Sequence, residues 1–273
     1  MQTDADARFG EDPQQLFRRR HAEVLARIAA ACTEAGRDPA GVRLLPVTKT
    51  VPAEILRHAH AAGLDQFAEN KVQEARGKVE TLADLPLRWS MVGHLQTNKV
   101  KYAVRFASEF QALDSLRLAA ELDRQLDRAG RKLAVHVQVN TSGEASKYGL
   151  SPAELPAFLD ALAAYPRLKP QGLMTLALFS GTRDQVRGCF RLLRRLRDEN
   201  LAAHPAVNGL SMGMSGDFED AVREGATVVR VGQALFGTRP TPDGHYWPGT
   251  AGTPADAAPD TTASRPGRSS AAG

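Results

Sequence analysis

Long apolar runs are missing from this 273-residue chain: no uninterrupted stretch reaches the roughly 20 residues a helix needs to cross a bilayer. A secretory leader is missing too, because Met1 to Gly10 is polar and partly acidic. Both absences set the expectation of a cytoplasmic protein with no membrane partner. Cysteine is scarce. Cys32 and Cys189 each fall in a helical pattern among apolar neighbours, with no Cys or His at metal-ligand spacing. They read as buried free thiols, which argues against a disulfide, a catalytic thiol or a metal site. Charge of one sign is lacking as well. A formal net charge of +4 is mild and, without a basic face carrying aromatic residues, excludes a nucleic-acid partner from the expectations. No Gly-x-Gly-x-x-Gly follows the first apolar strand, which weakens a dinucleotide-binding reading.

What is present is an ordinary globular composition, 42% hydrophobic and 24% charged, enough for a substantial core in one large α/β domain or two small ones. The pattern is organised around Arg43-Leu44-Leu45-Pro46-Val47-Thr48-Lys49-Thr50. This apolar run ends in a lysine and is followed by a proline-started helix at Pro52. Such a run between breakers reads as a buried strand. A lone lysine at a strand end ordinarily reaches out to water. One held in an apolar setting has a lowered pKa, and a neutral amine forms a Schiff base with an aldehyde.

Before that strand, Asp12-Pro13 predicts a helix start. Leu16, Val24, Leu25, Ile28, Ala29 and Cys32 recur at helical spacing, Arg18, Arg19 and Arg20 read as a solvated face, and Gly36 ends the run. After it, strands and helices alternate. Strands are predicted over 42–47, 66–68, 87–92, 109–113, 133–139, 171–174, 209–212 and 228–231. Helices are predicted over 52–62, 72–82, 98–106, 115–129, 152–165, 184–200 and 217–224, with a short last turn over 234–236. In the helix over 184–200, Val186, Phe190, Leu193, Leu196 and Leu201 make the apolar face. Arg187, Arg191, Arg194, Arg195 and Arg197 are expected to face water, an acidic partner being the alternative. Eight strand–helix units in one direction predict a single closed (β/α)8 barrel of the TIM type, with an extra N-terminal helix. Residues 1–12 read as a flexible N-terminus and 13–240 as the barrel. The Pro/Gly/Ala/Thr-rich stretch 241–273 reads as a disordered tail, with Tyr246-Trp247 touching the barrel.

Polar residues fall at the predicted C-terminal ends of the strands: Lys49, Asn70, His94, Asn140, Thr175, Ser211 and Arg230. Active sites of this fold are built on that face. Each residue alone has a structural explanation: His94 as a satisfied histidine, Asn70 as a turn closer, Arg230 paired with Glu69. Their shared location carries the signal. Ser211-Met212-Gly213-Met214-Ser215-Gly216-Asp217 after the seventh strand and Arg230-Val231-Gly232-Gln233 after the eighth form a candidate phosphate cradle. A strand-one lysine beside a strand-seven/eight phosphate cradle suggests one ligand that is both aldehyde and phosphate, such as pyridoxal 5′-phosphate (PLP).

At these residues the chain resembles the pyridoxal phosphate homeostasis protein family, also called the proline synthetase co-transcribed homologue family. The matching stretches include Val47-Thr48-Lys49, Phe67-Ala68-Glu69-Asn70 with Val72-Gln73-Glu74, and Gly93-His94-Leu95-Gln96-Thr97-Asn98-Lys99. They continue through Asp114-Ser115-Leu116, Val139-Asn140, Lys147-Tyr148-Gly149, Gly172-Leu173-Met174-Thr175, Leu210-Ser211-Met212-Gly213-Met214-Ser215 and Val229-Arg230-Val231-Gly232. The resemblance spans about Ala22 to Arg239. It departs at Ala68, where a glycine is usual, and at Ala177-Leu178, where a proline-containing loop is expected.

The resemblance implies the barrel of the alanine racemase N-terminal domain, with PLP held as a Schiff base on Lys49. It implies Arg230 at the pyridine nitrogen, Ser211, Ser215 and the amides of Gly232 and Gln233 at the phosphate, and Asn70 and His94 along the ring. It implies PLP buffering and delivery to PLP-dependent apo-enzymes rather than turnover, with no catalytic residue and no metal. The alternative is an amino-acid racemase, which needs a second base opposite Lys49. Tyr102, Tyr148 and Tyr165 do not match the position of the racemase tyrosine, and no second domain follows the barrel pattern, so a monomeric carrier is expected. A sugar-phosphate enzyme using Lys49 as its Schiff-base lysine is a third and weaker reading.

Overall fold

The helix preceding the sheet, α1 (Pro13–Glu34), starts where Asp12 caps it by accepting from the Gln15 amide. Its buried face is Phe17, Val24, Ile28, Ala31 and Cys32, whereas Leu25 is exposed and Leu16 is half-buried. The predicted face holds at Val24, Ile28 and Cys32, but Phe17 rather than Leu16 is the buried residue at its start and Ala31 rather than Ala29 near its end. A six-residue apolar tally does not fix the phase of a helix that also carries alanines. Arg20 departs from the solvated reading, since its guanidinium donates to the Leu235 carbonyl at 3.1 Å.

The computed structural model describes residues 8–179 and 181–238. The reading of the extreme N-terminus is outside that range for residues 1–7, and the tail with Tyr246 and Trp247 is outside it entirely. The chain divides between Arg239 and Pro240 into two units.

Eight strands follow in chain order: β1 (Arg43–Pro46), β2 (Gln66–Glu69), β3 (Arg88–Met91), β4 (Ala107–Leu113), β5 (Leu133–Gln138), β6 (Leu168–Met174), β7 (Gly209–Ser211) and β8 (Val228–Val231). All pair in parallel in the order β1-β8-β7-β6-β5-β4-β3-β2. The seam between β1 and β2 is closed by a parallel bridge, Val47 to Ala68. The predicted barrel is borne out. The intervening helices are α2 (Ala53–Ala61), α3 (Val72–Thr81), α4 (Val100–Ala103), α5 (Leu116–Arg128), α6 (Leu155–Ala161), α7 (Arg183–Asn200), α8 (Phe218–Arg223) and α9 (Gln233–Phe236).

Two predicted helices are shorter and less regular than expected. The 98–106 segment is a 3-10 turn over Thr97–Lys99 followed by the four residues of α4. The 152–165 segment is α6 between 3-10 turns at Pro152–Glu154 and Leu162–Ala164. Strand β6 begins three residues earlier than predicted, because Pro170 lies within it and pairs with Val135 beside a register shift. Proline is tolerated in a sheet at such an irregularity.

Strand side chains alternate between the two faces of the barrel wall. One face supplies the large core shared with the helices, among them Phe67, Met91, Phe110, Val135, Val137, Leu173, Val229 and Val231. The other face turns into the barrel, where apolar filling is modest. Leu45, Val47, Ala68 and Val228 form a small separate cluster. Polar side chains take the remaining interior positions: Gln66, Ser90, Glu109, Gln111, His136, Ser211 and Arg230 are all buried. Barrels of this type ordinarily fill that space with branched apolar residues. Both cysteines are free and buried, as their helical settings suggested.

Candidate functional site

Strand β1 delivers Lys49 to the mouth formed by the C-terminal strand ends. Val47 donates its amide to the Val231 carbonyl at 2.9 Å and Thr48 donates to the Ala68 carbonyl at 2.9 Å. These bonds tie the chain on both flanks just before the lysine, which is itself 8% exposed. Within β8, Arg230 pairs in register with Leu45 of β1. The sequence thus places amine and guanidinium on adjacent strands, as expected.

Arg230 is 4% exposed. Its Nη1 donates to Ser211 Oγ at 2.8 Å and its Nη2 to the Thr175 carbonyl at 2.7 Å. Ser211 Oγ in turn donates to Gln111 Oε1 on β4 at 2.7 Å. Among the described residues Arg230 has no salt bridge, so the proposed pairing with Glu69 is overturned. Glu69 is taken by Lys78 at 2.5 Å. Burial lowers the Arg230 pKa to about 10, with Asp217 acting in the opposite direction. A guanidinium in that range is still protonated at neutral pH and is a donor only.

Beyond β7, Gly213 lies at φ 93, and a Cβ there would meet the Ala221 Cβ at 2.6 Å. Only glycine lets this turn pack on α8. The carbonyl of Gly213 accepts from the Arg230 amide at 3.0 Å, which binds the β7 loop to β8. Ser215 then sits at the start of α9, its Oγ accepting from the amides of Gly232 at 3.2 Å and Ala234 at 3.3 Å. The loops after β7 and β8 thus meet at Ser215, on which the amides of Gly232 and Ala234 converge, with Gln233 between them at the start of α9. Ser211 bonds Arg230 and Gln111.

Asn70 and His94 are brought together by Gly93. A Cβ at Gly93 would meet the Asn70 carbonyl oxygen at 2.3 Å, so the β2 and β3 loops touch only because the residue is glycine. The His94 ring stacks on Tyr148, with centroids 4.0 Å apart and planes 11° apart, and its Nδ1 lies 3.5 Å from Asp114 Oδ2. Burial raises the Asp114 pKa, and His94 partly offsets this. Asn140 folds its own loop. It donates to the Glu144 carbonyl at 2.9 Å and accepts from the Gly143 amide at 3.1 Å. Thr175 Oγ1 bonds Thr141 Oγ1 and the Val139 carbonyl, both at 2.8 Å, and the residue is fully buried.

Sequence reasoning missed Gln111, Ala234, and the trio Glu69, Glu74 and Lys78. A polar residue at an inward strand position was the available signal for Gln111. Glu74 and Lys78, four apart on a helix that follows a strand-end Glu69, were the signal for the trio. Among the described residues no helix is long and apolar enough to cross a membrane, and no group of three His, Cys, Asp or Glu is placed to hold a metal.

A parallel (β/α)8 barrel with a buried lysine ending its first strand and an Arg-x-Gly ending its last defines a class, and the comparisons agree with it. The family described as alanine racemase, N-terminal domain matches residues 24–240. The pyridoxal phosphate homeostasis protein of Pseudomonas aeruginosa is 47% identical over 219 residues, 80% of this chain and 94% of that protein. The one from Aquifex aeolicus is 42% identical over 221 residues, 81% of this chain and 97% of that protein. PipY of Synechococcus elongatus PCC7942, solved with PLP bound, superposes with a TM-score of 0.69 at 38% identity, covering 77% of this chain and all of PipY. Within the alanine racemase N-terminal domain class, the chain belongs to the pyridoxal phosphate homeostasis protein family.

Proposed function

We propose that the barrel mouth binds PLP as a Schiff base on Lys49, and that the protein buffers the cofactor and releases it to apo-enzymes rather than turning over substrate. The observation that carries this is the pairing of a buried lysine at the end of β1 with a buried arginine on the adjacent strand, hydrogen-bonded to a serine hydroxyl and a peptide carbonyl. The donor set fits the group in kind. An amine suits an aldehyde, a guanidinium suits a pyridine nitrogen, and the amides of Gly232 and Gln233 with Ser215 suit a phosphate. Asn70 and His94 would line the ring, while Ser211 acts by holding Arg230.

PLP supplies electron withdrawal when its ring nitrogen is protonated. Arg230 donates a hydrogen bond and presents no acceptor, so it favours the unprotonated nitrogen and a weak electron sink. The relatives' shared name and the PLP-bound PipY structure support the same reading. We read the protein as a cytoplasmic monomer, for which light scattering should return the mass of one chain.

Purified protein should carry a visible band, and borohydride should fix the cofactor mass on Lys49. Lys49→Ala that still carried a reducible adduct would defeat the assignment. Holo-protein incubated with L-amino acids in deuterated water should exchange α-protons far more slowly than about one per second, an ordinary enzyme rate. Racemisation at that rate, lost in Lys49→Ala, would restore the racemase reading.

A further inference from the structure

Lys78 lies on α3 outside every contact proposed for the cofactor, yet its side chain is only 7% exposed. Its ammonium donates to Glu69 Oε1 at 2.5 Å, Glu74 Oε1 at 2.7 Å and the Thr48 carbonyl at 2.8 Å. Those three acceptors match its three donors. The same carboxylates hold the chain on both sides of Lys49. Thr48 Oγ1 donates to Glu69 Oε1 at 2.6 Å, and the Thr50 amide donates to Glu74 Oε1 at 2.7 Å.

Thr50 has φ 64 and is the one non-glycine residue with positive φ among the described residues. A β-branched residue in the left-handed region is strained and persists only where its surroundings over-determine it. Stability alone does not account for the cluster, because a buried carboxylate and a part-buried one around one lysine gain little over apolar packing. Glu69 Oε2 is buried without a hydrogen-bond partner, which adds to its cost.

We propose that Lys78, with Glu69 and Glu74, is a positioning cluster that fixes the Thr48–Thr50 turn and thereby aims the Lys49 amine. The inference rests on the reading that Lys49 carries the cofactor, and it deepens that reading. Clamping residues 48 and 50 limits the backbone freedom of residue 49, so the cluster sets how long the cofactor stays attached.

The test uses Glu74→Ala, which leaves Lys78 paired one-to-one with Glu69 and so spares the fold, as near-ultraviolet circular dichroism should verify. In cofactor-free protein, exchange of the Thr50 amide should accelerate about tenfold, the scale of one lost hydrogen bond to a charged acceptor. In PLP-loaded protein, dissociation should accelerate to a similar degree. Glu74→Gln keeps an oxygen acceptor and should stay near wild type on both measures. Thr50→Gly in the Glu74→Ala background should slow dissociation again, because glycine takes positive φ without strain.

Unchanged Thr50 exchange in Glu74→Ala would overturn the clamp. Faster exchange with unchanged dissociation would overturn its link to Lys49. Wild-type protein that failed to take up PLP would sink the cofactor reading while the exchange measurement still judged the clamp.

Discussion

The two ends of the barrel interior are both polar and both buried, but they treat charge differently. At the floor, Arg43 Nη2 meets Glu109 Oε1 at 2.7 Å, and Ser90 Oγ donates to Glu109 Oε2 at 2.8 Å. Gln66 joins by accepting from Arg43 at 2.9 Å and donating to Ser90 at 2.9 Å. Burial pushes the Glu109 pKa up, but Arg43 and His136 more than offset it and the carboxylate stays charged. The mouth instead holds Arg230 with neutral partners only, a serine hydroxyl and a peptide carbonyl. Asp217 favours the charged form of Arg230 but makes no ion pair with it among the described residues, so burial remains a cost. The floor network pairs its cation with an acid, whereas the mouth hydrogen-bonds its cation to neutral groups.

The sharpest way to break this contrast is to remove the floor's acid. Glu109→Leu strips the counter-charge from Arg43, whose side chain is 37% exposed and can turn to water, and the acceptor from buried Ser90, and it should cost about 2 kcal/mol of stability, the scale of a buried hydrogen bond lost from a charged acceptor. Urea denaturation measures it. PLP affinity of the folded fraction should not move. A stability loss under about 1 kcal/mol, within the ordinary range for a single substitution, would mean that the floor is no tighter than a surface pair.

The matching change at the mouth should do the reverse. Arg230→Leu removes a buried cation that makes no ion pair among the described residues and should leave denaturant stability within about 1 kcal/mol of wild type. It should weaken PLP by about 2 kcal/mol, or roughly thirtyfold, the scale of a hydrogen bond to a charged donor. Titration with PLP measures the loss. A large stability drop with unchanged affinity would make Arg230 a second floor residue.

The sequence showed the mouth more readily than the floor. Lys49, Asn70, His94, Ser211 and Arg230 stand out because each interrupts an apolar or glycine-marked strand end, and chain order alone puts strand ends on one face. The barrel followed from strand–helix alternation in the same way. The floor did not emerge, because Arg43, Gln66 and Glu109 sit near strand starts, where a charged residue reads as solvated. Which cation meets which acid depends on barrel closure, and no local pattern encodes that. A loop motif says only that amides converge; that those of Gly232 and Ala234 meet on Ser215 Oγ depends on the turn into α9.

A smaller effect separates the two ends by pH. His136 is 3% exposed, its Nδ1 lies 3.5 Å from Glu109 Oε1, and burial lowers its pKa to about 4, with Glu109 pulling the other way. Its folded pKa lies below its unfolded one, so the unfolded chain binds more protons between the two. Stability is therefore fully present above the unfolded value of about 6.5 and is lost as pH falls toward about 4. Melting temperature should decline across that window in wild type and decline less in His136→Asn. Equal slopes in both proteins would place the titrating group elsewhere.

The smallest expected effect is on the outer wall, where the helix arginines proved less solvated than their pattern suggested. Glu224 is 5% exposed at its side chain and collects Arg187 Nη2 at 2.6 Å, Arg191 Nη1 at 3.5 Å and Arg194 Nη1 at 3.9 Å, all from α7. Here three cations share one buried acid, the opposite of the mouth, where one buried cation makes no ion pair among the described residues. Redundancy should blunt any single loss. Arg191→Ala or Arg194→Ala should each cost about 0.5 kcal/mol or less, as for part-exposed pairs, and Arg187→Ala somewhat more because it makes the shortest contact. Removing all three leaves a buried carboxylate unpaired, so the triple variant should lose more than the sum of its parts. Urea denaturation of the three single variants and the triple one decides this. Strict additivity would mean that Glu224 is hydrated well enough to stand alone, and that the fan of arginines is a surface feature after all.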